Sequence, residues 1–363
     1  MVGRRAVLIG AAAALAAPRL ARARAGIEAR DVLGNRLALP APPERIVLLD
    51  ATDLISMAAL IPEPGARLAG WASVPRLDLG RADWLAPAGL PVVGKLSPDT
   101  VSAEGILALS PDLVVASAYM LPPGGSVLEG VLRAAGIPLA WTGGHDLALP
   151  PGETLERTMG FWGAVLEQPG AARDLAASGR ARLAAVRAAA AASGSRPRTY
   201  MEIMSTYDTC CWAAGHAFWG GLFGLAGGQL LEGSEGWGAK LGPEGLIAFD
   251  PEVYIATGGS FAPELQPGIA PGLDPDQGRA GLVRAAARPA LKDSTATRRG
   301  RVHGIWSGLA TAPLMAPVLA ECLGRWLHPE TGAGLDPGRT LAALNARFAR
   351  PLPGPLWLSL DEA

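Results

Sequence analysis

The side chains in this sequence best suited to chemistry are aromatic rings set beside glycine and small polar residues, and the chemistry they suit is recognition. Ten Trp stand against four Tyr and six Phe. Trp71, Trp141 and Trp306 each close a short apolar run that reads as a buried strand. Tyr119, Tyr207, Trp212, Trp237 and Phe261 fall in loops beyond or between such runs. In open α/β sheets ligands sit outside the carboxyl ends of the strands. An indole placed there offers flat apolar area and one donor, which suits a chelate, a macrocycle or its aromatic arms. Asp50 and Thr52, at the end of the first such run, add polar groups to the same rim. Core packing is the competing reading for any one Trp. A strand-terminal position beside Gly favours the rim for Trp71, Trp237 and Trp306.

Metal and acid–base chemistry are less well supplied. Of the four His, His145 and His216 fall in rim loops and could ligate heme iron or a bare ion, whereas His303 within a strand and His328 at a helix end read as structural. A bare zinc site needs three or four converging ligands, so no protein-held metal and no resident cofactor is expected. Arg76, Arg279 and Arg284 are the candidate rim arginines, too sparse to make a cluster for a tricarboxylate. His145 with Asp146, or His216 with Glu202, could be cast as a proton-moving pair of the kind a two-lobed tetrapyrrole chelatase would need. No further paired catalytic residues support that casting, and no enzyme is expected. Cys322 could bridge to Cys210 or Cys211, leaving an odd thiol. The two neighbours bridge each other only through a strained ring, and small buried side chains are the alternative for all three.

The elements that must position these groups follow from a stretch that occurs twice. Residues 104–117 read EGILALSPDLVVAS and residues 244–257 read EGLIAFDPEVYIAT, 140 positions apart throughout. Each copy is a short helix with apolar residues at i, i+3 and i+4, a Pro that stops it, an acid, and a strand apolar on both faces, as in a buried parallel sheet. The rest of the chain alternates strand and helix in the same manner. Gly34-Asn35 lies between two alternating runs and predicts an opening hairpin. Residues 207–219 read as one loop. Between the two halves, residues 171–192 are nearly all Ala, Leu, Arg and Val, which predicts a long rigid helix able to bridge two domains. The expected division is 26–168 as an N-terminal lobe, 169–193 as the connecting helix and 194–363 as a C-terminal lobe.

Residues 1–25, MVGRRAVLIGAAAALAAPRLARARA, have the layout of a twin-arginine export signal cleaved after about Ala25: Arg4-Arg5, an apolar core too short to span a bilayer, and a small-x-small end. The net charge is −1 with no basic stripe, which argues against nucleic-acid binding. A periplasmic monomer is expected.

Taken together, the export signal, the E-x-I/L-x-A-L-x-P-D-L-V unit in each half, the helical connector and the terminal WLHPE of residues 326–330 resemble the periplasmic substrate-binding proteins of ABC importers for iron–siderophore, heme and cobalamin. The resemblance spans nearly all of the mature chain. It implies an α/β fold of two Rossmann-like parallel-sheet lobes joined by one long backbone helix, the class III arrangement, with ligand held between the lobes. It implies capture of a metal chelate, a ferric siderophore foremost, with heme, cobalamin or an oxyanion such as molybdate behind it. The implied partner is a permease dimer with its ATPase subunits. In one branch of that family a polar H-Q-F-Y-N-S segment follows the last strand, whereas residues 307–312 here read SGLATA. The resemblance also assigns Glu104 and Glu244, which open the two repeats, to docking on the permease. Read without it, each is a carboxylate at a helix start, where the dipole favours negative charge.

Overall fold

The computed structural model describes residues 26–117, 120–121, 126–143, 149–205, 210–231, 236–261 and 267–361; the expected export signal and the positions of Tyr119, His145, Asp146 and Tyr207 lie outside them. The first lobe opens with the predicted hairpin, β1 (Ile27–Arg30) against β2 (Arg36–Leu39). It continues as β3 (Ile46–Leu48), α1 (Asp53–Ala58), β4 (Leu68–Ala72), α2 (Val74–Leu77), β5 (Val92–Gly94), α3 (Ala103–Ala108), β6 (Leu113–Ser117), α4 (Val127–Ala134), β7 (Leu139–Thr142) and α5 (Pro151–Val165). Its five strands run parallel in the order β5-β4-β3-β6-β7. Alternate residues of β3 and its extension fall into different clusters, Ile46 and Leu48 on one face and Val47 and Leu49 on the other. Both faces are therefore buried, which is why the strand carries no polar alternation.

The connector is α6 (Pro169–Ser193), 25 residues, or ~37 Å at 1.5 Å per residue. It ends at Gly194, whose φ of +65° closes the helix in the left-handed region.

The second lobe comprises β8 (Arg198–Glu202), β9 (Trp212–Ala214), α7 (His216–Leu225), β10 (Gln229–Leu230), β11 (Gly238–Lys240), α8 (Pro243–Phe249), β12 (Val253–Gly258), α9 (Pro275–Ala286), α10 (Thr295–Arg298), β13 (Val302–Trp306), α11 (Ser307–Thr311), α12 (Ala316–Leu327), α13 (Pro337–Asn345) and β14 (Trp357–Ser359). Here the sheet departs from the all-parallel expectation. Its centre, β8-β12-β13 with β10 beside the start of β8, is parallel, but β9 and β11 on one side and β14 on the other join antiparallel. The segment read as one loop supplies β9 and α7. A three-residue strand is too short for its periodicity to show in sequence.

The repeat places α3–β6 and α8–β12 equivalently in the two lobes. Ile106 and Leu246 are the buried anchors of the two helices. Ser110 and Asp250, each just before the stopping Pro, both take left-handed backbone with φ of 46° and 43°.

Helix α6 packs on α5 of the first lobe and on α12 and α7 of the second. Mid-helix Gly179 permits the closest approach: a Cβ there would lie 2.4 Å from Leu155 Cδ2 and 3.0 Å from Pro317 Cγ. Ala is the better helix former by about 1 kcal/mol, but overpacking costs ~1–3 kcal/mol. The proline ring can yield little, so packing wins. Gly179→Ala is expected to lower unfolding free energy by up to ~2 kcal/mol in a denaturant titration; a stabilised variant would contradict this packing.

Candidate functional site

A cavity of about 250 Å³ lies between the lobes. From the first lobe, Pro75, Arg76, Leu96 and Ser97 reach it; from the second come Ile203, Met204, Trp212, Phe218, Trp219, Trp237, Thr257, Ser307, Ala310 and Thr311. These are the carboxyl ends of β4, β5, β8, β12 and β13 with the turns that follow, the place where such sheets hold ligands.

The second-lobe wall is aromatic. Trp212 and Trp237 stack with ring centroids 5.7 Å apart and planes 16° from parallel. The β9–β11 ladder sets that stack, and the Gly215 amide donates to the Trp237 carbonyl at 2.9 Å. Gly215 is required there, since a Cβ would fall 1.8 Å from the Gly236 oxygen. Phe218 and Trp219, on the first turn of α7, lie 4.4 Å apart, and Trp219 Nε1 donates to the Ala310 carbonyl at 3.0 Å. Met204 lines the cavity with a left-handed φ of 55°, a conformation that costs a non-glycine residue ~1 kcal/mol or more and gathers at functional sites.

The first-lobe wall carries the charge. Arg76 Nη1 lies 3.1 Å from Asp50 Oδ2, and the guanidinium carbon stands 5.0 Å from the Phe218 ring centre across the cleft. Asp50 accepts from the Thr52 amide and hydroxyl at 3.2 and 2.9 Å and from the Ser117 hydroxyl at 2.8 Å. Beneath it, Asp53 accepts from Trp162 Nε1 at 2.8 Å and from the Thr142 hydroxyl. Burial pushes the Asp53 carboxyl up from 3.8 to about 7, with the nearby Asp50 charge adding to the rise.

The two walls are tied together. Asp78, just after α2, accepts from the Ser260 amide at 2.5 Å and its hydroxyl at 2.7 Å. Trp306 Nε1 donates to the Asp78 carbonyl at 2.7 Å, Thr311 Oγ1 to the Arg76 carbonyl at 3.1 Å, and the Arg81 amide to the Pro271 carbonyl at 2.8 Å.

Of the expected rim residues, the structure brings Trp212, Trp237 and Arg76 together at this cavity. Phe261, 41 % exposed, follows Ser260 of the tie. Tyr119, His145 and Tyr207 lie outside the described residues. Others fall elsewhere. Trp71 is buried among the residues beneath the first sheet, with its Nε1 unpartnered among the described residues. Trp141 packs on the opposite face, beside a separate surface cavity with Leu33 and Glu129. Trp306 is fully buried and spends its donor on the tie. His216 starts α7, with Nε2 3.2 Å from the Leu231 carbonyl. It does not meet Glu202, which is held by Tyr254 and by both terminal nitrogens of Arg288. Arg279 donates to the Ser359 carbonyl on the far edge strand. His303 stacks on Trp326 and bonds Ser359, and burial lowers it to about 3. His328 bonds the Ala226 carbonyl. The disulfide joins Cys210 to Cys211, and Cys322 lies buried in α12 outside that bridge, so the bridge to Cys322 is not made. The adjacent pair meets within its own turn, whereas α12 holds Cys322 in the core. Among the described residues no three His, Cys, Asp or Glu side chains converge as a metal site, and no helix is long and apolar enough to cross a membrane. Sequence reading missed Phe218, Trp219, Met204 and Ser307; the Phe-Trp pair one residue beyond Gly215-His216 was the available signal.

No protein-family model matches the sequence, and neither does any curated protein. Solved structures do match. A TroA-like periplasmic binding protein, FepB from Veillonella parvula, superposes with a TM-score of 0.75 at 21 % identity, over 92 % of this chain and 99 % of that one. The molybdate periplasmic binding protein MolA of a Haemophilus influenzae ABC transporter gives 0.68 at 16 % identity over 90 % and 99 %. The periplasmic heme-binding protein RhuT from Roseiflexus gives 0.55 at 24 % identity over 79 % and 99 %. The chain therefore has the two-lobed TroA-like periplasmic binding protein fold.

The buried Asp53 has a pH consequence. Between about pH 4 and 7 the unfolded chain releases a proton that the folded chain keeps, so this residue's contribution to stability falls as pH rises and stays lost above 7. His303 acts in the opposite sense, since a depressed His loses stability as pH falls below the unfolded value. The difference between wild type and Asp53→Asn isolates the carboxyl. That difference is expected to move in the variant's favour from pH 4 to 7, by on the order of 2–4 kcal/mol at about 1.4 kcal/mol per unit. A difference independent of pH in paired denaturant titrations would rule this out.

Proposed function

We propose that this protein is the extracytoplasmic solute-binding component of an ABC importer, exported to the periplasm, where it holds a metal chelate between its lobes and delivers it to a permease dimer served by ATPase subunits. The observation that carries this reading is the interlobe cavity, walled by stacked indoles on one side and by Arg76 on the other. It binds rather than catalyses: Glu202, one of the two acids a chelatase-like reading would use, is consumed by Arg288 and Tyr254. A ferric siderophore is the leading ligand, because aromatic walls suit the outer surface of a chelate whose metal is already fully coordinated. Heme, cobalamin and molybdate are the alternatives, and the neighbours named for heme and molybdate share the fold. Native mass spectrometry of protein taken from the periplasm would weigh the retained ligand and choose among them.

Docking is supported by a feature the two repeats share. Glu104 and Glu244 are exposed in the first turns of α3 and α8. One turn on, each helix presents an exposed aliphatic side chain, Leu107 at 38 % and Ile247 at 57 %. Two like patches of one acid and one aliphatic, one on each lobe, suit a partner with two-fold symmetry.

Chelate binding is expected to quench tryptophan emission and to raise Tm, since a ligand that binds only the folded state must stabilise it. Trp237→Ala is expected to weaken binding by ~1–3 kcal/mol with Tm of the free protein little changed. Trp306→Ala should instead cost ~3–5 kcal/mol of folding stability. A panel of ferric chelates, heme and cobalamin that leaves emission and Tm unmoved would refute the binding reading.

Joint charge reversal, Glu104→Lys with Glu244→Lys, should leave ligand affinity and Tm nearly intact while abolishing uptake and stimulated ATP hydrolysis in the reconstituted importer. Normal transport by that variant would leave both carboxylates with a helix-start role alone.

A further inference from the structure

Among the described residues lining the interlobe cavity, Arg76 alone carries a charge, and that charge is balanced inside the protein. Asp50, 2 % exposed, lies 3.1 Å from it. The hydroxyls of Thr52 and Ser117 fix both oxygens of that carboxylate, so it cannot turn away and leave the guanidinium alone. Asp53 beneath adds either no charge or a second negative one. With Asp50 as a carboxylate, the Asp50–Asp53–Arg76 group carries no net positive charge. What the wall offers a ligand besides aromatic area is uncharged. Ser307 Oγ is buried at the cavity with no partner among the described residues.

Resting on the chelate-binding reading above, we infer that this cleft selects chelates without net negative charge, of the ferric trihydroxamate class, and rejects anionic tricatecholate chelates and oxyanions. An anion drawn to Arg76 would bring its charge against Asp50 at close range, in a pocket whose aromatic walls cannot replace lost hydration. A neutral chelate has little hydration to lose. It can lay an apolar face on Trp212 and Trp237 and accept a hydrogen bond from Ser307 through one of its oxygens.

The test is a titration of the intact mature protein with four probes: the uncharged ferric complex of a cyclic hexadentate trihydroxamate, a trianionic ferric tricatecholate, hemin and molybdate. The neutral chelate is expected to bind at least ~100-fold more tightly than any of the anions. A tenfold rise in salt should change its affinity less than ~2-fold, because no net charge is screened. Asp50→Asn, which uncovers the guanidinium, should shift preference toward the tricatecholate by ~10-fold or more. If that variant does not fold, the wild-type order of affinities and their salt dependence still decide. An anionic probe that binds best, with affinity falling steeply in salt, overturns this inference and leaves the chelate-binding reading standing. Failure of every probe removes the chelate-binding reading and this inference together.

Discussion

The structure depends on one polar tie between its two halves. Asp78 gives its carboxylate to Ser260 and its carbonyl to the indole of Trp306, both on the opposite lobe. Hydrogen bonds to a charged acceptor contribute about 1.5–3 kcal/mol each, and a buried one left unmade costs more than that. The same short segment supplies Pro75 and Arg76 to the cavity wall. Its backbone is left-handed at Ser73 and at Asp78, with φ of 55° and 46°. The turn of chain between those two residues is thus pinned at both ends in conformations that need support. At Asp78 that support comes from the other lobe, and at Ser73 it comes from the Lys95 carbonyl of the same lobe, which accepts from the Ser73 amide. Wall position and lobe position are consequently set by the same bonds, and α6, packed on helices of both lobes, leaves little freedom for one to move without the other.

A second constraint works within each lobe and explains why the repeat exists. Arg45 Nε donates to the Leu109 and Ser110 carbonyls, and the Glu44 and Arg45 amides donate to Asp112. In the other lobe Arg198 Nε donates to the Phe249 and Asp250 carbonyls, and the Arg198 amide donates to Glu252. An arginine thus closes the open carbonyls of the repeat helix, and the acid after the stopping Pro anchors the start of the neighbouring strand. The recurring Pro-acid pair is the sequence trace of this clasp. Its arginine partner lies more than fifty residues upstream in each case and could not be paired with it from sequence alone.

The fold was therefore legible where local pattern carries it: buried strands, the opening hairpin, the long helix and the doubled helix-Pro-strand unit. The site was legible only in part, because a strand end says where a residue sits and not which way it points. Trp71 and Trp141 both terminate first-lobe strands, yet they sink into opposite faces of the same sheet. Trp306 lies at a strand end beside the cleft, but its donor turns to main chain. Trp237 was found because the Gly-rich segment around it allows an indole to stand out from the ladder. Phe218 and Trp219 were hidden by reading a three-residue strand and the first turn of a helix as loop.

The two walls differ in kind, and that difference follows from their construction. The second lobe reaches the cleft through β9, β11 and α7, a mixed edge where side chains stand on both a hairpin and a helix, and it can present four rings at once. The first lobe reaches it through one turn after β4, with Pro75 and Arg76, and one after β5, with Leu96 and Ser97. Arg76 stands there with its charge held by Asp50 on one side and its flat face against Phe218 on the other. A guanidinium so held acts less as a free cation than as a planar, donor-edged panel. The first lobe thus brings a polar, charge-balanced panel to the cleft, and the second brings four rings with the polar Thr257, Ser307 and Thr311 beside them.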